Sequence, residues 1–427
     1  MVRNKNRNSK LRPRLTYFMF VLAVAVGGTL LTVLSHASTP YSSLEAESGN
    51  LTNGAALGSD SEASGDKYVQ FGVSTSSSSN SVMRGVNDET LYYTLGYGDG
   101  YGPVNEPQSS YTYLASRGLK IVRLQISWGS LQSALAGPLN ASYLADIQTE
   151  VNRIHTAGMA TVLDLHSSGR WPNDTGSPYV WGGAGGNNIT EEQAADIWIK
   201  LSNTFKNDPG VIAYDLANEP YEQQSGTSTT LTTAIVHTYQ QYIVSAIRNN
   251  GDSKLLWIEG GNDYSGASDW ETDNGATPWI SDPDNNIMYS AHDYPPSSNG
   301  GTWSNTTFET SDSSWTNDLT GSTGFVTWLN ANHVRGSLGE IGVPAAATGT
   351  NQQEWNNVLN EMYTIADSNN LWVTYFCAGS AFNEPNLAYD NDTSNTVELN
   401  SKPGTVPGIN HANYQAPIIE SHPSYIR

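Results

Sequence analysis

Eight short apolar runs recur along the 427 residues, roughly 30–50 residues apart, with amphipathic helical stretches between them. They cover residues 82–87, 119–126, 160–166, 211–218, 254–260, 286–292, 334–340 and 371–377. Most are largely apolar, as strands are when both faces of their sheet are covered. Between them the pattern turns helical. In 143–155, Leu144, Ile147, Val151 and Ile154 share one helical face. In 191–205, Ala194, Ile197, Leu201 and Phe205 do the same. Thr190 and Gln193 complete a capping box there, and Glu191 and Glu192 stand in the first turn, where the helix dipole favours acids. Residues 231–247 and 355–366 supply further crossover helices. Such alternation predicts the α/β class with a parallel sheet. A doubly wound open sheet would carry a glycine-rich phosphate turn after an early strand, and the sequence has none. Eight βα units over about 340 residues predict a single (β/α)8 TIM barrel with enlarged loops, spanning 81–427.

The amino-terminal part reads differently. Arg3, Lys5, Arg7, Lys10, Arg12 and Arg14 precede an uncharged run from Leu15 to Leu34, about 20 residues and enough to cross a hydrocarbon core. The basic flank belongs on the cytoplasmic side, so the remainder is expected outside the cell. Ser35-His36-Ala37 offers the small-x-small pattern of a cleaved signal peptide, whereas the length of the run favours a retained anchor. Residues 1–37 are thus a signal peptide or an anchor, and a membrane contact is expected only through Leu15 to Leu34 if it is uncleaved. Residues 38–80 form a second stretch. Within it, LEAESGNLTNGAALGSDSEASGDKYVQFG (44–72) resembles the opening strands of family 6 and family 35 carbohydrate-binding modules. A whole sandwich of that kind needs about 100 residues, so the fragment reads as a spacer remnant. GVSTSSSSN (72–80) is a flexible serine-rich linker.

Composition narrows the function. The formal charge is −21, and with six cations gathered near the amino terminus the body is more acidic than that total. Such a surface repels phosphate backbones, which excludes nucleic acid as a partner. One cysteine, Cys377, rules out an internal disulfide framework and a multi-cysteine zinc site; it is expected to pack as a small hydrophobe. A barrel carries its active site at the carboxyl ends of its strands. The polar residues there are Arg123 on the second strand, His166 on the third, Asn218 and Glu219 on the fourth, His292 and Tyr294 on the sixth, and Glu340 on the seventh. Two glutamates from different strands can face each other across a ligand, as glycoside hydrolysis requires. Trp128, Trp171 and Phe376, with Trp181 and Trp303, lie in loops or strand ends where an aromatic ring can stack on a sugar.

These residues carry a family resemblance. VIAYDLANEP (211–220) resembles the N-E-P segment of the fourth strand in glycoside hydrolase family 5 of clan A, and GSLGEIG (336–342) its seventh-strand segment. VRLQISW (122–128), LDLHSSGRW (163–171) and SAHDY (290–294) resemble the remaining shared segments, in order. SWGSLQSALAGPLNASYLADI looks like the endo-β-1,4-glucanases, or cellulases, of that family. The resemblance implies that Glu219 is the acid/base and Glu340 the nucleophile of a retaining mechanism. It further implies that Arg123 and Tyr294 support Glu340, that Asn218 binds the sugar 2-OH, that His292 positions Glu219 or its leaving group, and that His166 bonds a sugar hydroxyl. The family's eighth strand usually ends in tryptophan beneath the cleaved sugar; here TYFCAG puts Phe376 in that place. No metal or cofactor is needed for this chemistry, and a monomer is expected. The implied substrate is cellulose-like or mixed-linkage β-glucan, with β-mannan, xyloglucan, β-1,3-glucan, or a silent polysaccharide-binding role as alternatives.

Overall fold

The computed structural model describes residues 56–59, 67–70, 81–92, 108–171, 179–183, 187–220, 231–261, 263–295, 308, 315–343, 350–378 and 415–426. The chain divides into two units, Met1–Ser79 and Asn80–Arg427. In the first, Ala56–Ser59 pairs antiparallel with Lys67–Gln70, both inside the module-like fragment.

In the second unit eight parallel strands close into a barrel in chain order: β1 Arg84–Asp88, β2 Ile121–Ile126, β3 Ala160–Leu165, β4 Val211–Asp215, β5 Leu255–Glu259, β6 Ile287–Asp293, β7 Gly336–Ile341 and β8 Trp372–Ala378. Each falls within or across one of the eight apolar runs. Crossover helices include α1 Gln108–Ser116, α2 Ala141–Thr156, α3 Glu191–Phe205 and α4 Thr233–Asn249. The shorter α5 Trp270–Asn274, then α6 Phe325–Asn332, α7 Thr350–Asn369 and α8 Ala416–Ser421 complete the ring. The capping box forms at α3, with the Thr190 side chain accepting from the Gln193 N–H and the Gln193 side chain accepting from the Thr190 N–H. Beyond α8, Tyr425–Ile426 pairs with Ser81–Val82 ahead of β1, and buried Arg84 pairs with Asp367 of α7.

Among the described residues no helix is long and apolar enough to cross a membrane. The expected segment from Leu15 to Leu34 lies outside the described residues. The expectation of a barrel preceded by a membrane segment is corrected accordingly: the fold is the (β/α)8 barrel, and the transmembrane reading and membrane contact are dropped.

Side-chain alternation divides the barrel into layers. Outward residues such as Val122, Leu124 and Ile126 join the large core shared with the helices. Inward residues Ile121, Val162, Ala213, Leu255, Trp257, Met288 and Trp372 form a separate apolar floor. One step up the strands the inward positions turn polar, with Asn87, Arg123, Asp164 and Asp215, all fully buried. At Gly85 an added Cβ would stand 1.9 Å from the Ile121 carbonyl oxygen, so β1 and β2 approach more closely there than any side chain permits.

Outside the barrel, α4 lays His237 flat on Trp279, with ring centroids 4.0 Å apart and planes 7° apart. Burial holds the His237 pKa down to about 4, with a side-chain hydrogen bond to Asn274 opposing. The folded state therefore favours the neutral ring. The stability this contributes is complete above the ordinary pKa of 6.5 and is lost as pH falls from there through about 4. We expect the melting temperature of His237→Phe to fall less than that of the wild type between pH 7 and pH 4. Parallel curves for the two proteins would remove His237 from the acid response.

Candidate active site

Arg123 points from β2 into the barrel and is fully buried. Nε donates to Asp215 Oδ2 at 2.9 Å; one terminal nitrogen donates to Glu340 Oε1 at 2.7 Å and Asn87 Oδ1 at 2.9 Å. The other donates to Asn218 Oδ1 and Glu259 Oε1, each at 2.9 Å, and lies 3.2 Å from Asp164 Oδ2. One side chain thus joins residues on or just beyond β1, β3, β4, β5 and β7. Asp164 also contacts His166 Nδ1 at 2.9 Å, and His166 Nε2 stands 3.3 Å from the Asn218 amide.

His292, inward from β6, is the second basic centre. Its Nδ1 lies 2.7 Å from Glu219 Oε1 and 3.6 Å from Glu340 Oε2, while Nε2 lies 3.2 Å from Glu259 Oε1. Tyr294 donates its hydroxyl to Glu340 Oε2 at 2.6 Å. Glu219, His292 and Glu340 each bring an atom within 4.8 Å of the other two. The 2.7 Å contact is a hydrogen-bond distance, shorter than the roughly 3.4 Å that tetrahedral ligands at 2.0–2.2 Å from an ion would keep.

Two backbone irregularities aim the glutamates. Leu338 packs outward in the main core, so strict alternation would send Glu340 the same way. The pairing register shifts between Ala291 and His292 on one side of β7 and between Leu338 and Ile341 on the other, which turns Glu340 into the mouth. Glu219 adopts a left-handed backbone at φ 42, with its N–H donating to Glu259 Oε2 at 2.5 Å.

The electrostatics separate the carboxyls. Burial raises the Glu219 pKa and the Glu340 charge adds to that, against the hydrogen bond from His292. Burial alone would raise Glu259, but the His292 charge and contact, then Arg123, hold it down to about 2. Burial alone would lower His292, yet the Glu259 and Glu340 carboxylates push it well above its ordinary value. Glu89, just beyond β1, is raised by burial and by the Glu340 charge. The site therefore sets a carboxyl whose pKa is raised, Glu219, within a few ångströms of one whose pKa is held down, Glu259, the kind of separation that acid/base chemistry needs.

The model of the family Cellulase (glycosyl hydrolase family 5) matches residues 64–382, about three quarters of the chain. The chain belongs to glycosyl hydrolase family 5. Among its relatives, endo-beta-1,4-glucanase A of Emericella nidulans is 27% identical over 263 residues, 61% of this chain and 70% of the relative. Endo-beta-1,4-glucanase B of Aspergillus niger is 24% identical over 274 residues, 64% of this chain and 73% of the relative. Among solved structures, endoglucanase Cel5A of Pseudomonas stutzeri with cellobiose superposes with a TM-score of 0.61 at 21% identity, covering 80% of this chain and 92% of that one. A triple mutant of an endo-beta-1,4-glucanase from Xanthomonas axonopodis pv. citri gives 0.60 at 22%, covering 80% and 98%. At these identities the solved structures speak to the fold.

Within this family 5 barrel, Arg123, His166, Asn218, Glu219, His292, Tyr294 and Glu340 form one connected group. Trp128 does not join it, and its expected role in stacking on sugar is corrected. It is fully buried, and its indole N–H donates to Gln132 Oε1 at 2.9 Å, so it packs the helical layer. Trp181 is buried as well, against Tyr239. Trp171 stays partly open beside Tyr179, its indole N–H donating to the Gln132 carbonyl. Trp303 lies outside the described residues. Sequence reasoning missed Asn87, Asp164, Asp215, Glu259 and Ser265, whose hydroxyl donates to Glu259 Oε2 at 2.8 Å. It also missed Tyr264, an aromatic exposed at 48% in the loop after β5. The available signal was a charged or amide side chain inside an apolar strand, which demands a buried partner.

Phe376 is the one residue of β8 that is not buried, and its ring meets Tyr294 edge-on with centroids 5.9 Å apart. Tyr294 in turn holds Glu340, so Phe376 borders the reacting pair. Tryptophan offers a larger face and an N–H donor. Phe376→Trp is expected to tighten a glucose-derived transition-state analogue about fivefold, on the order of 1 kcal/mol, without moving the pH profile. Weaker inhibition at an unchanged melting temperature would show that another residue floors the pocket.

Proposed function

We propose that this chain is an exported endo-β-1,4-glucanase that hydrolyses cellulose-like or mixed-linkage β-glucan by a retaining double displacement. The observation that carries the reading is the approach of Glu219 and Glu340 to within 4.8 Å. Retaining enzymes hold their carboxyls about 5–5.5 Å apart, whereas inverting ones leave 6.5–9.5 Å for a water. The relatives named above are endo-β-1,4-glucanases, which supports the same substrate here. A polymeric glucan lies outside the cell, which fits an exported enzyme.

In this reading Glu340 attacks the anomeric carbon. Arg123 and Tyr294 hold its two oxygens and so orient the carboxylate for attack. Glu219, whose pKa burial raises, donates a proton to the leaving oxygen and then takes one from the water that releases the glycosyl enzyme. Asn218, fixed by Arg123, offers its amide to the sugar 2-OH, a contact that strengthens at the transition state. His166 and Phe376 contact the sugar being cleaved, and partly exposed Trp171 offers a further stacking face. Residues 81–427 form the catalytic domain, with 38–80 as a spacer.

Glu340→Ala is expected to lose at least 10³-fold in reducing-sugar release from barley glucan, about 4 kcal/mol of barrier. Azide should restore turnover of an activated aryl cellobioside as the inverted glycosyl azide. Residual activity within tenfold of wild type would overturn the nucleophile, and equal activity on mannan would overturn the substrate class.

A further inference from the structure

Glu259 touches neither of the positions assigned to reacting atoms, yet it meets Arg123, His292 and the backbone of Glu219. Its Oε1 accepts from Arg123 at 2.9 Å and lies 3.2 Å from His292 Nε2. Its Oε2 accepts the Glu219 backbone N–H at 2.5 Å and the Ser265 hydroxyl at 2.8 Å. The side chain is fully buried. We propose that Glu259 is a positioning residue for the acid/base, fixing His292 as a doubly protonated imidazolium so that the transferable proton of Glu219 stays on Oε2, toward the leaving group. This rests on the retaining reading given above.

The argument is one of donors and acceptors. A carboxylate 3.2 Å from Nε2 requires a proton on that nitrogen, since a lone pair there would face negative charge. With Nε2 protonated, a neutral ring would carry a bare lone pair on Nδ1. Glu219 Oε1, 2.7 Å away, would then have to donate its own proton to the ring and lose it for the leaving group. Only the imidazolium presents a proton from each nitrogen toward a carboxyl oxygen. Its Nδ1–H then occupies Oε1 and leaves Oε2 to hold the acid proton. Among the described residues, the carboxyl groups within ion-pair reach of the ring are Glu219 beyond β4, Glu259 from β5 and Glu340 from β7. Tyr294 donates to Glu340, and Arg123 donates to Glu340 and Glu259, so both hold the carboxylates that face the ring. The ring also lies close over Gly339, where an added Cβ would come within 3.1 Å of Nε2, so it has little room to turn away. A second task falls to the same carboxylate, since Oε2 holds the peptide that places Glu219 at a left-handed φ.

Glu259→Gln keeps the shape and removes the charge. The expected result is a split between substrates. kcat/KM on barley glucan should fall about 100-fold at pH 7, the scale of general-acid assistance. That on 2,4-dinitrophenyl β-cellobioside, whose leaving group needs no proton, should stay within about fivefold. The alkaline limb of kcat/KM on glucan should move down by a pH unit or more. Equal losses on both substrates with an unmoved limb would reduce Glu259 to a structural part and overturn the proposal. Should the variant not fold, the wild type labelled with 15N-histidine decides alone. Both His292 nitrogens should be protonated at pH 7, and a neutral ring there would overturn the proposal. A wild type inactive on both substrates would sink the retaining reading instead, and the nitrogen shifts would still decide the role of Glu259.

Discussion

A guanidinium has five N–H groups in one plane, and Arg123 commits all five to oxygens inside the barrel. Because the fork is rigid, the plane of that side chain dictates where Asp215, Glu340, Asn87, Asn218 and Glu259 stand relative to one another. Lysine has neither the planarity nor enough donors to do this. The cost of breaking the arrangement is also set by burial. A lone charge left behind in such an interior costs about 3–5 kcal/mol, so the carboxylates and the arginine must be kept together or lost together. Geometry at the mouth is thereby tied to the stability of the strands beneath it.

The apolar floor gives this polar layer its leverage. Ile121, Leu255, Trp257, Met288 and Trp372 close the barrel below Arg123, which leaves little water to screen the charges above them. In that setting small backbone departures have large effects. The register shifts beside β7 and the left-handed Glu219 each cost some backbone strain, on the order of 1–3 kcal/mol for the latter. Each is held by hydrogen bonds to the layer beneath: Glu340 by Arg123 and Tyr294, and the Glu219 peptide by Glu259. The strain sits where two carboxyls must face each other from strands whose regular alternation would not bring them together.

The fold was readable because it rests on periodicity, which a single sequence displays. All eight strands fall on the apolar runs, and α3 begins and ends where its capping box and apolar face place it. The residues at the strand ends were readable as well, since a barrel gives them one shared destination. What escaped was the supporting layer. Asn87, Asp164, Asp215 and Glu259 lie inside strands beside hydrophobic neighbours; that placement calls for a buried partner, but nothing local says which residue it is. Only the closed sheet brings them around Arg123. Glu340 is the instructive opposite: alternation points it outward, so the motif succeeded where periodicity would have failed. Trp128 shows the limit of reading aromatics from position, because a ring near a strand end turns into the mouth or into the helices according to a single step of the chain.

Charge accounting links this architecture to the chemistry. Glu219, Glu259, Glu340, Asp164 and Asp215 gather around two basic centres, Arg123 and His292. A dry interior cannot ionise all five acids, and burial together with the Glu259 charge drives Asp215 upward. Under the proposed mechanism the first step converts the Glu340 carboxylate into a neutral ester while Glu219 gives up its proton and becomes the carboxylate. The net charge of the cluster does not change; the negative charge moves less than 5 Å, from one strand end to another. His292 Nδ1 stands 2.7 Å from one terminus of that displacement and 3.6 Å from the other. A cation fixed between the two positions stabilises the charge before and after the move, so neither a large rearrangement nor an incoming counter-ion is required. The second step runs the same displacement backward. That is why the supports of the two glutamates meet in one ring: His292 faces both ends of a charge that shuttles between them, while Arg123 anchors the Glu340 end.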